Sequence, residues 1–267
     1  MNKIKFVEKS HRYINEKGED LISVSKFTER FKPKQDWDAI AKRCAIKATK
    51  EGVPTTKEDI LNKWANKRDR SSEVGTLFHY IREQELINDV NPTVFYNTVC
   101  EKKMCTNDGE DKYSIPINKI DNNTVYPELM IYDLDHMICG QSDKVIVTNN
   151  TIHIWDYKTD MEISHKGFSS QWVKPRKLLA PLDHLDDCNA NIYAIKMSLY
   201  MYMLWKANKG KLKVGDIIIE HVTLKRDPEN DNIPVLEDGK PVVLGIKQIK
   251  LPYLKKEVMA MLKTIKW

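Results

Sequence analysis

Apolar and polar residues alternate over residues 3 to 25 on both sides of the stretch NEKGED, and this period of two predicts an N-terminal hairpin with Gly18 in its turn. The period then changes. DWDAIAKRCAIKATKEG sets Trp37, Ile40, Ala41, Cys44, Ala45 and Ala48 at helical spacing and closes at Gly52. TTKEDILNKWANKR predicts a second helix, opened by a capping threonine with acids in its first turn. SSEVGTLFHYIREQELI predicts a third, opened at Ser71 or Ser72, with Val74, Leu77, Phe78 and Ile81 along one side. Trp37 and Trp64, among apolar neighbours, are expected in the core, and NKWANKRDR on a solvated helix face. Residues 91 to 120 show no decisive period, with TNDGED expected at a loop tip.

From 125 to 158 the pattern predicts three strands, VYPELMIYD, MICGQSDKVIV and TIHIWDYKT, joined by short turns at LDH and TNN. A basic loop leads into a long helix over about 189 to 208, whose inner side carries Tyr193, Met197, Tyr200 and Leu204. DIIIEHVTLKR, PVLEDGKPVVLGIKQIKL and a terminal amphipathic segment add two or three strands and a helix. With no repeat or flexible linker, one domain over 1–267 is expected: hairpin and helices over 1–70, a core over 71–210, and C-terminal strands and helix over 211–267. The fold class is α/β, a central mixed sheet flanked by helices.

Composition changes this picture little. At 267 residues with 41% apolar content, the chain can bury a sizeable core. No apolar run approaches the roughly 20 residues of a spanning helix, and the first residues lack the apolar centre of a secretory signal, so a cytoplasmic protein without membrane partners is expected. The net charge of +5 is compatible with a polyanionic partner and equally with a lysine-rich surface. The five cysteines are odd in number and never spaced as C-x2-C, so reduced thiols are expected rather than a disulfide framework or zinc ribbon.

Strand alternation carries the chemistry. In TIHIWDYKT it sets Ile152, Ile154, Asp156 and Lys158 on one face and His153, Trp155 and Tyr157 on the other. Asp143 shares the face of Val145 and Val147 one strand earlier, and a hairpin across TNN brings it beside Asp156 and Lys158 where the apolar face ends. Charges there are costly unless paired or holding a metal. Two carboxylates and an ammonium suit phosphodiester hydrolysis: hard oxygens hold magnesium or manganese, and the lysine orients water and offsets charge. Alone, D-x-K describes a solvated strand end with a surface ion pair far better than a catalytic site. His153 and His136 are expected to be structural.

In order along the chain, Gly75 to His79, Gly140 to Asp143, Asp156 to Lys158 and Lys196 to Tyr200 resemble the G-x-x-x-H, G-x-x-D, acid-x-K and Q-x-x-x-Y elements of the RecB-like, phage-type exonuclease branch of the PD-(D/E)xK nuclease superfamily. The resemblance covers about residues 60 to 205 and implies a restriction-endonuclease-like core. It further implies that His79, Asp143, Asp156 and the main-chain carbonyl of Tyr157 hold one or two Mg2+ or Mn2+ ions, with Glu128 at a second ion or its waters. Lys158 would serve the nucleophilic water, and Tyr193, Lys196 and Tyr200 would support the site or touch the strand. Lys196 stands where the family has glutamine, and a lysine can meet phosphate as a point charge. No cysteine follows Cys188, so no iron–sulfur cluster is expected. Lys174, Arg176 and Lys177, near Phe168 and Trp172, are candidate contacts to DNA. The implied activity is a DNA exonuclease working in recombination, repair or phage replication, with a recombination or replication protein as an implied partner. A non-catalytic binding module of the same fold and a structure-specific endonuclease subunit stay open, as does oligomeric state.

Overall fold

The computed structural model describes residues 3–89, 91–169 and 174–265. Three short strands, β1 (Lys5–Val7), β2 (Arg12–Ile14) and β3 (Asp20–Ser23), form the N-terminal meander, with Gly18 at φ +81° in the β2–β3 turn. A short helix that the alternation masked, α1 (Val24–Glu29), follows directly, capped by the Ser23 side chain. Helix α2 (Trp37–Lys50) falls on the predicted stripe and is capped by the Asp36 side chain, which accepts from the Ala39 N–H.

The second and third expected helices are one. Helix α3 runs unbroken over Lys57–Asn88, opened by a capping box between Thr56 and Asp59. Ser71 and Ser72 can cap a helix, but no proline or glycine stops the preceding turn, so they continue it. Trp37 also departs from expectation: it is 55% exposed, its ring edge-on to Trp64 at 5.9 Å, because α2 packs on α3 rather than on the sheet.

Residues 91 to 120, unassigned by pattern, hold two hairpins: β4 (Thr93–Phe95) with β5 (Thr98–Lys102), and β6 (Thr106–Asp108) with β7 (Asp111–Tyr113) around Gly109. The three predicted strands appear as β8 (Thr124–Asp133), β9 (Ile138–Thr148) and β10 (Thr151–Lys158). Helix α4 (Asn189–Ala207), strand β11 (Lys213–Leu224), two small hairpins β12 (Arg226–Asp227) with β13 (Ile233–Pro234) and β14 (Leu236–Glu237) with β15 (Lys240–Pro241), strand β16 (Val243–Leu251) and helix α5 (Lys255–Leu262) complete the chain.

The large sheet is mixed: β16, β11, β10 and β9 lie side by side, with β10–β11, β3–β9 and β5–β8 parallel and their other neighbours antiparallel. Its two faces follow the predicted parity. Ile152, Ile154, Val145 and Val147 join the main core under α4, whereas Tyr157, Val222 and Leu224 meet Val74 and Phe78 of α3 on the other side. No described helix is long and apolar enough to cross a membrane.

One topological feature positions the site. Strand β9 pairs with β10 only through Lys144, while at Ile138 and Cys139 it pairs with β3. Strand β8 covers β9 along nearly its whole length, so β10 and β3 must share the opposite edge. Between them, at Gly140 to Asp143, that edge of the sheet forks.

Candidate metal and nuclease site

The ladder between β9 and β10 ends at the pair Trp155–Lys144, which leaves the next amide of the splaying strand to find another partner. Tyr157 N–H donates to Asp143 Oδ2 at 2.8 Å. The same carboxylate oxygen lies 3.1 Å from Nδ1 of His79, delivered from the middle of α3. Glu128 sits across from Asp143 on β8, in a gap of the ladder between the pairs Pro127–Lys144 and Leu129–Ser142. Its φ of +46° is rare for a non-glycine residue and stores strain where the strand turns its carboxyl inward.

His79, Glu128 and Asp143 each offer a ligand atom, and these atoms lie within 4.8 Å of one another. One imidazole nitrogen and hard carboxylate oxygens suit magnesium or manganese. The electrostatics point the same way. Burial, then the nearby Asp143 charge, pushes the Glu128 carboxyl up to about 7. Burial and Asp143 likewise push Asp156 up to about 6. Burial alone would raise Asp143 too, but the hydrogen bond and charge of His79, with Lys158 and the Tyr157 N–H, hold it at about 2. The fork therefore holds carboxyls whose full ionisation calls for a cation.

The predicted residues separate by position. Asp156 is drawn into an ion pair with Lys158 and stands outside the three-residue cluster. Lys158 also donates to the Tyr157 carbonyl at 3.0 Å, the oxygen expected to serve as a ligand, and its ammonium lies 5.1 Å from the Tyr193 ring centroid. Burial opposes the charge on Lys158, yet Asp156 and Asp143 outweigh it and raise its pKa, so it is an ammonium at neutral pH. Tyr193 lines the cleft and donates its hydroxyl to Asp160 at 2.6 Å. Lys196 is half-buried, its pKa lowered by burial and then by the Lys158 charge. Tyr200 is buried with its ring against Gly140, so it shapes the strand from behind rather than meeting a ligand. A Cβ at Gly140 would stand 2.7 Å from the Tyr200 hydroxyl, which is why the G-x-x-D strand carries glycine there.

The basic loop is organised internally. Arg176 Nε lies 2.6 Å from Asp187 Oδ2, and Lys177 Nζ lies 2.5 Å from Asp186 Oδ1; Lys174 and Lys177 are exposed, and none of the three lines the cleft. Trp172 lies outside the described residues. His136 pairs with Asp133, and His153 accepts from the Asp216 N–H under the stacked Tyr96 ring, both structural as expected.

The His79–Glu128–Asp143 cluster opens into a cleft of about 1170 Å³ between α3 and the N-terminal and β6–β7 hairpins. Among its lining residues, Asp160 and Arg226 stand beside Lys158 and Thr159 but lie outside every motif of the sequence. Asp160, two residues past Lys158, holds Tyr193, and its carbonyl lies 2.8 Å from His221 Nε2. Arg226 donates to the Thr159 carbonyl at 2.8 Å and so fixes the exit of β10. Asp160 was legible as a further acid beside D-x-K; Arg226 lies far along the chain, with no local signal. No family model, curated protein or solved structure matches the chain.

Proposed function

We propose that the protein is a divalent-metal-dependent deoxyribonuclease with a restriction-endonuclease-like core, hydrolysing phosphodiester bonds from DNA ends in recombination, repair or phage replication. The observation that carries this reading is the meeting of His79, Glu128 and Asp143 at the sheet fork, with the Asp156–Lys158 pair beside them.

His79, Glu128 and Asp143 would hold the ion, joined by Asp156 and the Tyr157 carbonyl once Lys158 turns from them to substrate. A bound magnesium or manganese supplies Lewis-acid polarisation of the phosphate and a more acidic water. Lys158, charged at neutral pH, is a hydrogen-bond donor rather than a base: it orients the attacking water and offsets charge growing on the phosphoryl oxygens. Tyr193 and Asp160 fix the wall behind Lys158. The water oxygen bonds to phosphorus, the bond to the departing sugar oxygen breaks, and the proton released by the water reaches that oxygen through solvent.

End-labelled linear DNA and a matched closed circle, incubated with the protein in manganese, magnesium or chelator, test the proposal. Metal-dependent loss of the linear form alone is the expected result. Cutting of the circle would make it an endonuclease, and retained binding without cutting of either form would favour the non-catalytic module.

A further inference from the structure

Helix α3 is far longer than its core contact requires. Its fully buried residues are Val74 and Phe78, so the turns before Val74 bury no side chain completely. Helix α2, packed on those turns, fully buries just Ala41 and Ala45. Together they form an arm that rests on the β12–β13 hairpin, where Lys63 meets Asp231, and buries little apolar side chain along its length.

Its charge supplies a reason. Residues 37 to 70 carry nine Lys and Arg against five Asp and Glu, a net of +4, while the whole chain carries +5. The basic excess is thus concentrated in about an eighth of the chain. One of these cations faces the cleft: Lys67, Ser71, Gly75 and His79 follow at four-residue intervals on α3, and all four line it. Lys67 makes no ion pair among the described residues. Ser72 and Thr76 add hydroxyl donors to the same wall.

Past His79 the sign reverses. The next residue in the row is Glu83, and the same cleft also carries Glu8, Glu110 and Asp111, against Lys112. Glu83 stands one turn past His79 on α3 and lines the same cleft as Glu128 and Asp143, which puts the acidic end on the side of the proposed metal site.

We propose that the arm is a docking track for the phosphodiester backbone of the substrate, on one side of the scissile bond only. This rests on the nuclease reading. Lys67, Ser71, Ser72 and Thr76 meet successive phosphates, and the acidic end beyond His79 repels continuing duplex, which favours a substrate that ends there. From His79 to Lys67 is twelve helical residues, about 18 Å. At 3.4 Å per nucleotide along one strand, the track spans about five base pairs.

Binding of hairpin-closed duplexes with one open end, of 3 and 12 base pairs, measured by fluorescence anisotropy in Ca2+, tests it. Wild type is expected to prefer the longer duplex by at least tenfold at low salt. Lys67→Glu should cut that preference below threefold at an unchanged melting temperature, with Lys67→Gln between. The salt slope on the longer duplex should fall by about 1 in Lys67→Gln, as expected for one lost phosphate contact. A variant that keeps the wild-type length preference, in a protein that binds and cuts DNA, would overturn the track and leave the nuclease reading standing. Failure of wild type to bind or cut DNA of any length would overturn both.

Discussion

His79 and Asp143 meet at 3.1 Å across the boundary between the long helix α3 and the forked end of strand β9. A helix charged in its solvent-facing half is thereby tied to the point where β10 and β3 part along β9. If this pair belongs to a metal site, manganese should raise the melting temperature of the wild-type protein by several degrees at concentrations well above its Kd. His79→Ala or Asp143→Asn should abolish that rise, as read by thermal denaturation with and without chelator.

Proton linkage at the same fork has a defined sign. Glu128 and Asp156 are raised in the folded protein to about 7 and about 6, so between roughly pH 4 and 7 the folded state binds more protons than the unfolded state. The metal-free protein should lose stability as pH rises through that window. Glu128→Gln should recover on the order of 1–3 kcal/mol at pH 8, measured by urea denaturation in chelator. Metal affinity should run the other way and rise through pH 6 to 7 as both carboxyls ionise.

The two motif glycines should respond oppositely to alanine. At Gly140 the new Cβ would come within 2.7 Å of the Tyr200 hydroxyl and 2.9 Å of its Cε1, a clash expected to cost about 1–3 kcal/mol. At Gly75 its nearest neighbour would be Thr159 Oγ1 at 3.4 Å, ordinary contact, and alanine should gain up to about 1 kcal/mol from helix propensity. Denaturant midpoints of the two variants separate these effects.

A buried ion pair on the opposite face offers a further check. Lys144 is 4% exposed, its ammonium 4.4 Å from the Trp155 ring centroid and 3.4 Å from Glu220, and burial lowers its pKa despite Glu220. Lys144→Met should cost about 3–5 kcal/mol by stranding Glu220, while Lys144→Met with Glu220→Leu should recover most of it. A double-mutant cycle in urea would register the coupling.

Much of this site was legible because strand parity is strict. Once TIHIWDYKT was read as a strand, Asp156 and Lys158 had to share a face with Ile154, and a short turn had to return Asp143 to them. Glu128 was visible only as an acid on a neighbouring strand, since its left-handed backbone and the ladder gap beside it belong to the pairing of β8 with β9. Continuity of α3 was hidden because Ser71 and Ser72 satisfy capping and mid-helix roles equally well. Trp37 misled because helical spacing identifies a face without saying what covers it. Arg176 and Lys177 resemble free phosphate contacts in sequence, and only the tertiary fold brings Asp187 and Asp186 to them.

The most direct test of the proposed chemistry compares wild type with Lys158→Ala in single-turnover cleavage of end-labelled linear DNA in manganese, with metal binding followed in parallel by thermal shift. Loss of at least about a hundredfold in rate, with DNA binding and the manganese-induced shift retained, is the predicted result. Cleavage by Lys158→Ala at the wild-type rate would contradict the assignment of the fork as the catalytic site.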